Sequence, residues 1–387
     1  MAFFVPRARL VHPLASEIPA AMVRSLHIAV IEGDGIGPEV TQQAIRAAEA
    51  AAGLSDTSFE WTHFPWGTGY YFEHGRMADD DSLDQLAGVD AIFLGAVGHP
   101  DVQDHITLNG LLLPIRRRFD QCICLRPAYL YPGVESPLRN KAPGSIDILV
   151  FRENVEGEYA NVGGRLYQHK SDEIAVQSAV FTRRGCERII RAAFEKAKSR
   201  PRTANRSRRS VASITKSNAQ GYGMVLWDEV FAEIAAEYRE IETESLLIDA
   251  AVMEFVRRPE SFDVVVASNL FGDILTDLAA IVVGSMGLAP SANIDPTGKN
   301  PSMFEPVHGS APDITGQGIA NPLAAILSAA MMLEHLELDA AATAINQAVA
   351  ALLASDGPRT PDLGGRGTTS EVGAAIVERI AAKKPPP

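Results

Sequence analysis

Apolar and polar positions change their spacing along this chain in a way that distinguishes strands from helices. Val264–Ala267 is a short apolar run of mostly β-branched residues, which is typical of a buried strand. Residues 269–280 then place apolar side chains three and four positions apart, as on one face of a helix. On that predicted helix Asp273 and Asp277 stand four residues apart, so their carboxylates share one edge.

The same alternation of patterns recurs through the rest of the chain. Further strands are predicted at residues 27–31, 89–97 and 211–214, and further helices at residues 40–52, 323–336 and 339–354. Strands that alternate with helices predict an open α/β sheet. Because ligands of such sheets collect beyond the carboxyl ends of the strands, we expect Gly95 and Gly98 to border a binding site. A length of 387 residues exceeds one ordinary core and predicts about two domains.

A glycine-rich turn follows the first predicted strand. Gly33, Gly35 and Gly37 resemble the G-x-G-x-x-G fingerprint of dinucleotide sites, but Pro38 stands where that motif requires an unrestricted residue. A proline just inside a helix start is an ordinary signal of a helix N-terminus. We therefore predict that this turn is not a Rossmann nucleotide site.

Composition and charge narrow the class of protein. A net charge of −13 argues against a nucleic-acid or anionic-membrane partner held by overall electrostatics. Cys122, Cys124 and Cys186 are too few for a disulfide framework, which favours a reducing, cytoplasmic setting. The chain contains no uninterrupted run of about eighteen apolar residues, so no membrane span is predicted. Residues 1–24 are expected to be a disordered or artefactual extension outside the fold.

Carboxylates are the first candidate ligands for a metal. Repulsion between Asp273 and Asp277 calls for a positive charge between them, and clustered oxygens suit Mg²⁺ or Mn²⁺ better than zinc. Asp249 is a third candidate. The alternative is a pair of solvated acids near a helix start, favoured by the helix dipole.

Basic side chains supply candidates for substrate binding and proton transfer. Arg116, Arg126 and Arg152 are each predicted at a helix or strand end, and three converging guanidinium groups would suit a di- or tricarboxylate. Scattered surface ion pairs are the alternative. Lys216 closes a predicted strand, where a lysine beside a bound cation can act as a base, although most lysines are solvated surface charges.

Two further segments predict an arm and a linker. Residues 158–167 have the pattern of a hairpin that turns at Gly163 and Gly164, and a projecting hairpin of this kind often serves as a dimer arm. Residues 198–209 are basic and rich in serine and arginine, and we predict a solvated loop there rather than a nucleic-acid patch.

A loop rich in Gly, Ser and Pro at residues 303–322 is the candidate cofactor site. Its exposed backbone N–H groups can wrap a pyrophosphate, and His308 can stack on or hydrogen-bond to an adenine or ribose. Asp313 can hold ribose hydroxyls and would repel a 2′-phosphate, which predicts NAD rather than NADP. A plain surface loop is the alternative.

Together these segments resemble the metal-dependent decarboxylating dehydrogenases of 2-hydroxy acids, the isocitrate/isopropylmalate dehydrogenase family. The resemblance runs from about residue 27 to residue 382, and its core is residues 268–277 and 304–314. Within this family the likeness is to the tartrate/D-malate branch. It is carried by residues 64–67, 95–98, 104–106, 112–121, 126–133 and 357–365.

The resemblance implies an α/β fold of two domains around an open mixed sheet flanked by helices, not a Rossmann fold. Residues 25–121 and 284–387 would form a large cofactor-binding domain, and residues 122–283 a small domain with the dimerisation arm. It implies a homodimer, or a tetramer, that binds NAD and either Mn²⁺ or Mg²⁺. It leaves open a further monovalent cation such as K⁺.

The resemblance also implies a role for each matching residue. Lys216, donated by the partner subunit, would be the general base and Tyr159 the general acid. Arg116, Arg126 and Arg152 would bind the substrate carboxylates. The metal would be held by Asp273, Asp277 and the Asp249 of the other subunit. The implied cofactor residues are Glu305, His308, Gly309, Ser310, Ala311, Asp313 and Asn321.

The implied reaction is oxidation of a small 2-hydroxy diacid, D-malate or tartrate, with decarboxylation, so that D-malate would give pyruvate and CO₂. Cys122, Cys124 and Asn109 depart from the residues expected in this branch, which bears on the choice of substrate. The alternatives are a 3-isopropylmalate dehydrogenase, a non-catalytic regulatory subunit of the same fold, and a Mg²⁺-dependent hydrolase.

Overall fold

The structure, a computed structural model, describes residues 24–54, 57–202 and 209–382. The strands are β1 (Arg24–Gly33), β2 (Thr57–Phe64), β3 (Ala91–Ala96), β4 (Ile123–Tyr129), β5 (Asp147–Glu153), β6 (Gly157–Leu166), β7 (Ile174–Val180), β8 (Ser210–Thr215), β9 (Glu242–Leu247), β10 (Val264–Ala267), β11 (Pro290–Ile294) and β12 (Ser302–Pro306). The predicted N-terminal extension, apart from Arg24, lies outside the described residues. Residues 203–208 of the predicted basic loop also lie outside them.

Helices cover both faces of the sheet. They are α1 (Gly37–Ala52), α2 (Thr68–His74), α3 (Ser82–Leu86), α4 (Asp104–Thr107), α5 (Leu113–Arg118), α6 (Arg183–Ser199), α7 (Gly223–Ala235), α8 (Ile248–Arg257), α9 (Asn269–Val282), α10 (Leu323–His335), α11 (Asp339–Leu353) and α12 (Thr369–Ala381). A π-helical turn, Leu108–Leu112, joins α4 to α5. Among the described residues no helix has the length and apolar character that a membrane crossing requires.

Ten strands form one continuous mixed sheet in the order β2-β1-β3-β12-β11-β4-β5-β10-β8-β9. The two flanks pair in parallel, whereas the central pairs β12–β11, β11–β4 and β4–β5 are antiparallel. The strands on the two sides of this centre therefore run in opposite directions. This mixed sheet confirms the predicted fold class, and the antiparallel centre is a feature that the alternation of strands and helices did not reveal.

Buried apolar residues fall into separate clusters along the sheet. One draws its members from residues 122–283 and packs α6, α7, α8 and α9 against β5, β8 and β10. A second draws them from residues 26–93 and 288–380, where α1 packs against α10, α11 and α12. A third cluster draws most of its members from residues 66–119. The central strands β4 and β11 join these cores.

The predicted turn at Gly163 and Gly164 is wrong. Both glycines lie inside β6, where Gly163 pairs with Gln177 and Gly164 with Val176 of β7, and the chain reverses over residues 167–173. A Cβ on Gly163 would stand 2.0 Å from the Val176 carbonyl oxygen, so this glycine permits close backbone approach rather than a turn. β6 and β7 form a separate two-stranded sheet.

Glu153, at the end of β5, is a buried acid whose ionisation should affect stability. It accepts hydrogen bonds from the backbone N–H groups of Val155 (3.1 Å) and Glu156 (3.0 Å), and Arg188 lies 4.0 Å away. Burial outweighs these contacts and raises the pKa of Glu153 from 4.5 to about 7. The folded chain therefore keeps a proton that the unfolded chain releases, so this contribution to stability is lost as the pH rises through about 7.

We expect Glu153→Gln, which stays neutral, to gain stability relative to the wild type between pH 5 and pH 8. The expected gain is on the order of 2 kcal/mol. Urea unfolding of both proteins at several pH values measures it. A stability difference that is constant over this range would show that Glu153 does not titrate there.

Candidate active site

A cavity of about 180 Å³ lies where the two flanks of the sheet meet. Its polar lining residues are Arg116, Arg126, Arg152, Tyr159, Asp273, Glu305 and His308. These were predicted in four separate roles, as substrate, acid, metal and cofactor residues. The cavity brings them to one place.

The cavity is lined both by one face of the central strands β4 and β5 and by the carboxyl ends of β3 and β12, at residues 94–97 and 305–306. Arg126 lies in the middle of β4, and Cys124, two residues before it, pairs directly with Arg152 of β5. Alternate residues of a strand, and directly paired residues of antiparallel neighbours, point to the same side. Arg126 and Arg152 therefore project from one face. The prediction that Arg126 sits at a strand end is wrong, because the antiparallel centre of the sheet was not anticipated.

Asp273 on α9 is the centre of the polar network. Its Oδ1 accepts hydrogen bonds from Arg152 Nη1 (2.5 Å) and Arg126 Nη1 (3.2 Å), and its Oδ2 accepts one from the Tyr159 hydroxyl (2.8 Å). Burial pulls the pKa of Asp273 upward, but the two guanidinium groups more than offset this and lower it below its usual value. The carboxylate is therefore held ionised.

Residues in the first turn of α9 contact Arg152. Arg152 donates from Nε (3.1 Å) and Nη2 (2.8 Å) to Oδ1 of Asn269, the first residue of the helix. A Cβ on Gly272 would stand 2.6 Å from Arg152 Cγ, so a larger residue would displace the arginine. Sequence reasoning missed Asn269 and Gly272. A glycine inside a strong helical pattern was the available signal.

Of the other predicted metal ligands, Asp277 lies beside Asp273, whereas Asp249 lies apart from both within one chain. Asp277 has a half-exposed carboxylate 4.0 Å from Arg126 Nη1, and burial raises its pKa. Asp249, in the first turn of α8, is paired instead with Lys216, and neither lines the cavity. Lys216 lowers the pKa of Asp249. Among the described residues of a single chain, no three His, Cys, Asp or Glu side chains are grouped as metal ligands.

Tyr159 enters the cavity from β6. Burial, followed by the neighbouring charge of Asp273, raises the pKa of Tyr159 to about 12. The Arg152 guanidinium lies 5.4 Å from the centre of the tyrosine ring. The phenol therefore stays protonated at neutral pH with its oxygen inside the cavity.

The candidate cofactor loop is anchored by the glycine-rich turn after β1. The backbone N–H of Ile36 donates to the Ser310 carbonyl oxygen (2.9 Å), and a Cβ on Gly35 would stand 2.0 Å from that oxygen. Gly35 also has a φ of 59°, which favours glycine. Asp34 accepts a hydrogen bond from the N–H of Gly98 (2.8 Å) and so fixes the loop after β3. The glycine motif thus holds a loop in place through backbone contacts.

The predicted cofactor residues differ in how firmly they are held. Glu305 is buried and accepts hydrogen bonds from Arg116 (2.7 Å) and Asn293 (2.8 Å). The Asn321 amide donates to Asp362 (2.9 Å), whereas Asp313 is exposed. Burial lowers the pKa of His308, so the ring is neutral at pH 7.

His308, Gly309, Ser310 and Ala311 border the cleft above the cavity. His308 Nδ1 donates to the Gly309 carbonyl oxygen (3.0 Å), and Nε2 has no hydrogen-bond partner within the described chain. Gly309, Ser310 and Ala311 line a second, more open space with the loop after β3. A ligand along this cleft would meet backbone groups and a neutral imidazole.

The residues that depart from the expected pattern do not line the cavity. Cys122 and Cys124 are fully buried, and Cys124 Sγ lies 3.4 Å from Ser291 Oγ. The Asn109 amide turns back to donate to the His105 carbonyl oxygen (2.8 Å). The wall on this side consists of the apolar residues Leu108, Leu112 and Leu113.

Known proteins share this architecture. A family model described as isocitrate/isopropylmalate dehydrogenase matches residues 27–376. The "Probable tartrate dehydrogenase/decarboxylase" of Bacillus subtilis (strain 168) is 51% identical over 366 residues, which cover 92% of this chain and 99% of that protein. The "D-malate dehydrogenase (decarboxylating)" of Escherichia coli (strain K12) is 48% identical over 366 residues, which cover 93% and 99%. A crystal structure of isocitrate dehydrogenase from Methylococcus capsulatus matches with a TM-score of 0.81 at 34% identity, over 92% and 99% of the two chains.

The chain belongs to the isocitrate/isopropylmalate dehydrogenase family. It is therefore an enzyme of the oxidoreductase class. Its similarity to the relatives named for tartrate and D-malate confirms the predicted likeness to that branch.

Proposed function

We propose that this enzyme oxidises a small 2-hydroxy diacid, D-malate or tartrate, with NAD⁺ and a divalent metal ion, and decarboxylates D-malate to pyruvate. One observation chiefly supports the proposal: in one small cavity, Arg126, Arg152 and Tyr159 all donate hydrogen bonds to Asp273. The names of the tartrate and D-malate relatives support the substrate class.

The charges in the cavity suit a dianion. Arg116, Arg126 and Arg152 outnumber the two carboxylates, Glu305 and Asp273, among the lining residues. Guanidinium groups pair bidentately with carboxylates, so the excess positive charge favours an acidic ligand. A cavity of about 180 Å³ has room for a short chain between two carboxylates.

The donors fit a hard divalent ion. Asp273 is kept ionised by two arginines, and Asp277 beside it is half exposed, so both offer carboxylate oxygens to the cleft. Oxygen donors suit Mg²⁺ or Mn²⁺. In a homodimer the partner subunit's Asp249 would complete this set. When bound, the ion supplies Lewis-acid polarisation of the substrate oxygen on C2.

Lys216 and Tyr159 would move the protons. Lys216, from the partner subunit, would take the hydroxyl proton while hydride leaves C2 for the nicotinamide. After the bond from C3 to its carboxylate breaks and CO₂ leaves, Tyr159 would give its hydroxyl proton to C3 of the enolate. A pKa of about 12 keeps Tyr159 in the protonated form that this step needs.

Residues of the loop after β12 would hold the nicotinamide dinucleotide, which would supply the hydride acceptor. Glu305 would meet the nicotinamide end, the backbone of Gly309, Ser310 and Ala311 the phosphates, and His308 and Asn321 the adenine end. Asp313 would hold the adenosine ribose. The loop's exposed amides and its anchoring on Gly35 support this assignment.

A homodimer would bury apolar side chains that one chain leaves exposed. On α8 and α9 these are Met253, Val256, Ile274 and Ile281, and on the β6–β7 arm they are Val162, Leu166, Ile174 and Val176. An exposed apolar surface of this extent is typical of a protein interface. α8 also carries Asp249, so an interface there would bring Asp249 towards a second copy's cavity.

Asp313 should set the choice between NAD⁺ and NADP⁺. Its carboxylate would hydrogen-bond ribose hydroxyls and repel a 2′-phosphate. We expect Asp313→Lys to shift the ratio of kcat/KM for NAD⁺ over NADP⁺ by about 100-fold, or roughly 3 kcal/mol, towards NADP⁺. Steady-state kinetics with D-malate measures the shift, with Lys299→Met as a surface control. An unchanged ratio would remove Asp313 from the cofactor site.

The test of the proposed function is a substrate panel. D-malate, tartrate, 3-isopropylmalate and isocitrate are each supplied with NAD⁺ or NADP⁺ and Mn²⁺, and reduced cofactor, CO₂ and the 2-oxo acid are quantified. We expect the highest kcat/KM with D-malate or tartrate and NAD⁺. No reduction with either acid would overturn the proposal.

The apolar wall of the cavity favours a second candidate substrate, 3-isopropylmalate. Leu108, Leu112 and Leu113 would pack against a branched alkyl substituent on C3, as 3-isopropylmalate carries. A kcat/KM for 3-isopropylmalate above those for D-malate and tartrate would assign the enzyme to that substrate instead.

A further inference from the structure

The strand that carries Tyr159, β6, is not paired regularly with β7 at this residue. β6 pairs with β7 at Gly157–Val180 and next at Val162–Ser178, so four residues, 158–161, face the single residue Ala179. Asn161 adopts a φ of 55°, as a bulge requires. The backbone of residues 158–161 is therefore placed by contacts outside the β6–β7 pair.

Glu158 anchors the start of this bulge to α9. Its Oε2 accepts a hydrogen bond from the Leu270 N–H (3.1 Å), and its Oε1 accepts one from the Ser268 hydroxyl (2.8 Å). An acid at a helix N-terminus is favoured by the helix dipole. This contact ties the bulge to the helix that carries Asp273.

Arg117 makes the second anchor. Its Nη2 donates to the backbone carbonyl oxygen of Tyr159 at 2.6 Å. Arg117 is exposed in the last turn of α5, next to the buried Arg116. α5 contributes Ile115 to the third core, whereas β6 packs against α9, which contributes to the first. A charged donor to a neutral acceptor makes one of the stronger hydrogen bonds in proteins. The contact therefore joins α5, which lies between β3 and β4 in the chain, to the separate β6–β7 sheet.

We propose that Arg117 is a positioning residue that fixes the Tyr159 peptide so that the tyrosine hydroxyl rests on Asp273. The proposal rests on the proposed role of Tyr159 as the proton donor. Within the described residues, loss of Arg117 leaves the bulge held by the Glu158 carboxylate and the Tyr159 hydroxyl. Rotation of the Tyr159 peptide then swings the far end of a long side chain. A displacement of roughly 1 Å at a reacting atom can cost a rate factor of about 100.

The first measurement follows Tyr159 without substrate. 3-Fluorotyrosine is introduced at position 159 alone, and its ¹⁹F chemical shift at pH 7 is compared in otherwise wild-type, Arg117→Ala and Arg118→Ala proteins. The Tyr159 hydroxyl donates to Asp273 at 2.8 Å inside the cavity, so loss of this contact changes the surroundings of the ring. We expect the ¹⁹F resonance in Arg117→Ala to move from its wild-type position towards that of free 3-fluorotyrosine. Arg118, exposed and paired with Asp84 at 3.3 Å, is the matched control and should leave the resonance unchanged.

The second measurement is a double-mutant cycle on D-malate turnover. We expect Arg117→Ala to lower kcat about tenfold with little change in KM. In a Tyr159→Phe background, which has no hydroxyl to position, the same change should have no further effect on kcat. Arg117→Lys, which keeps a cationic donor, should recover part of the lost rate. Circular dichroism melting of each variant shows whether its fold is intact.

The outcomes separate this proposal from the proposed function. An unchanged ¹⁹F resonance in Arg117→Ala, or effects of Arg117→Ala and Tyr159→Phe that simply multiply, would overturn the positioning role. If the wild type fails to oxidise D-malate or tartrate, the proposed function falls, while the ¹⁹F chemical shift still decides whether Arg117 places Tyr159.

Discussion

Lys216→Met should lower kcat for D-malate oxidation by about 1,000-fold, because a positioned general base contributes roughly 10²–10⁴-fold to such a rate. Methionine keeps the length and apolar stem of lysine but cannot accept a proton. Among the described residues of one chain Lys216 pairs with Asp249 away from the candidate cofactor loop, and its proposed contact in the partner's cavity is with the substrate hydroxyl, so NAD⁺ affinity should be unchanged. Steady-state kinetics gives kcat, and fluorescence or calorimetric titration gives the affinity.

Lys299→Met is the matched control, since Lys299 is exposed in the turn between β11 and β12. It should retain full turnover. Normal kcat in Lys216→Met, with an intact fold, would remove Lys216 from the proposed role. Loss of NAD⁺ binding together with kcat would instead indicate a structural role.

A mixed dimer tests whether Lys216 acts in the partner's cavity. Lys216→Met and Asp273→Asn should each be inactive alone. In a heterodimer of the two, one site combines the intact Asp273 of the first chain with the intact Lys216 of the second. Co-expression should therefore restore about half of the wild-type rate per heterodimer, as expected for a site built by two subunits. No restoration would place Lys216 and Asp273 in the same subunit's site.

Exhaustive removal of divalent ions should abolish NAD⁺ reduction with D-malate, and Mn²⁺ or Mg²⁺ should restore it. The loss should reach about 1,000-fold or more, because the ion would supply several kcal/mol of charge stabilisation. Asp277→Asn should raise the Mn²⁺ concentration for half-maximal rate by about 100-fold, since the second carboxylate donor is lost. Asp277 is the better target than Asp273, which also holds two arginines.

Asp356→Asn is the control for charge alone. Asp356 is an exposed acid in the loop after α11 and does not line the cavity, so its loss should not alter the Mn²⁺ requirement. Full turnover after chelation, verified by elemental analysis, would contradict a metal-dependent reaction.

Local patterns predicted individual elements better than their arrangement. The apolar run at Val264–Ala267 and the helical spacing after it correspond to β10 and α9, because burial imposes a period of two on strands and 3.6 on helices. The turn at Gly163 and Gly164 was wrong because glycine marks both turns and close strand contacts. Local sequence does not distinguish these two uses.

The sequence by itself determined which chemical groups are present, namely the three arginines, the aspartates of α9 and Tyr159. It also determined the family, whose members are dehydrogenases. Only the tertiary structure decided that Arg126 and Arg152 share one carboxylate of Asp273, that Gly272 makes room for Arg152, and that Arg117 reaches Tyr159. The physical reason is distance along the chain. These contacts join residues 42 to 147 positions apart, and the shared position of Arg126 and Arg152 depends on antiparallel pairing of β4 with β5, which no local spacing encodes.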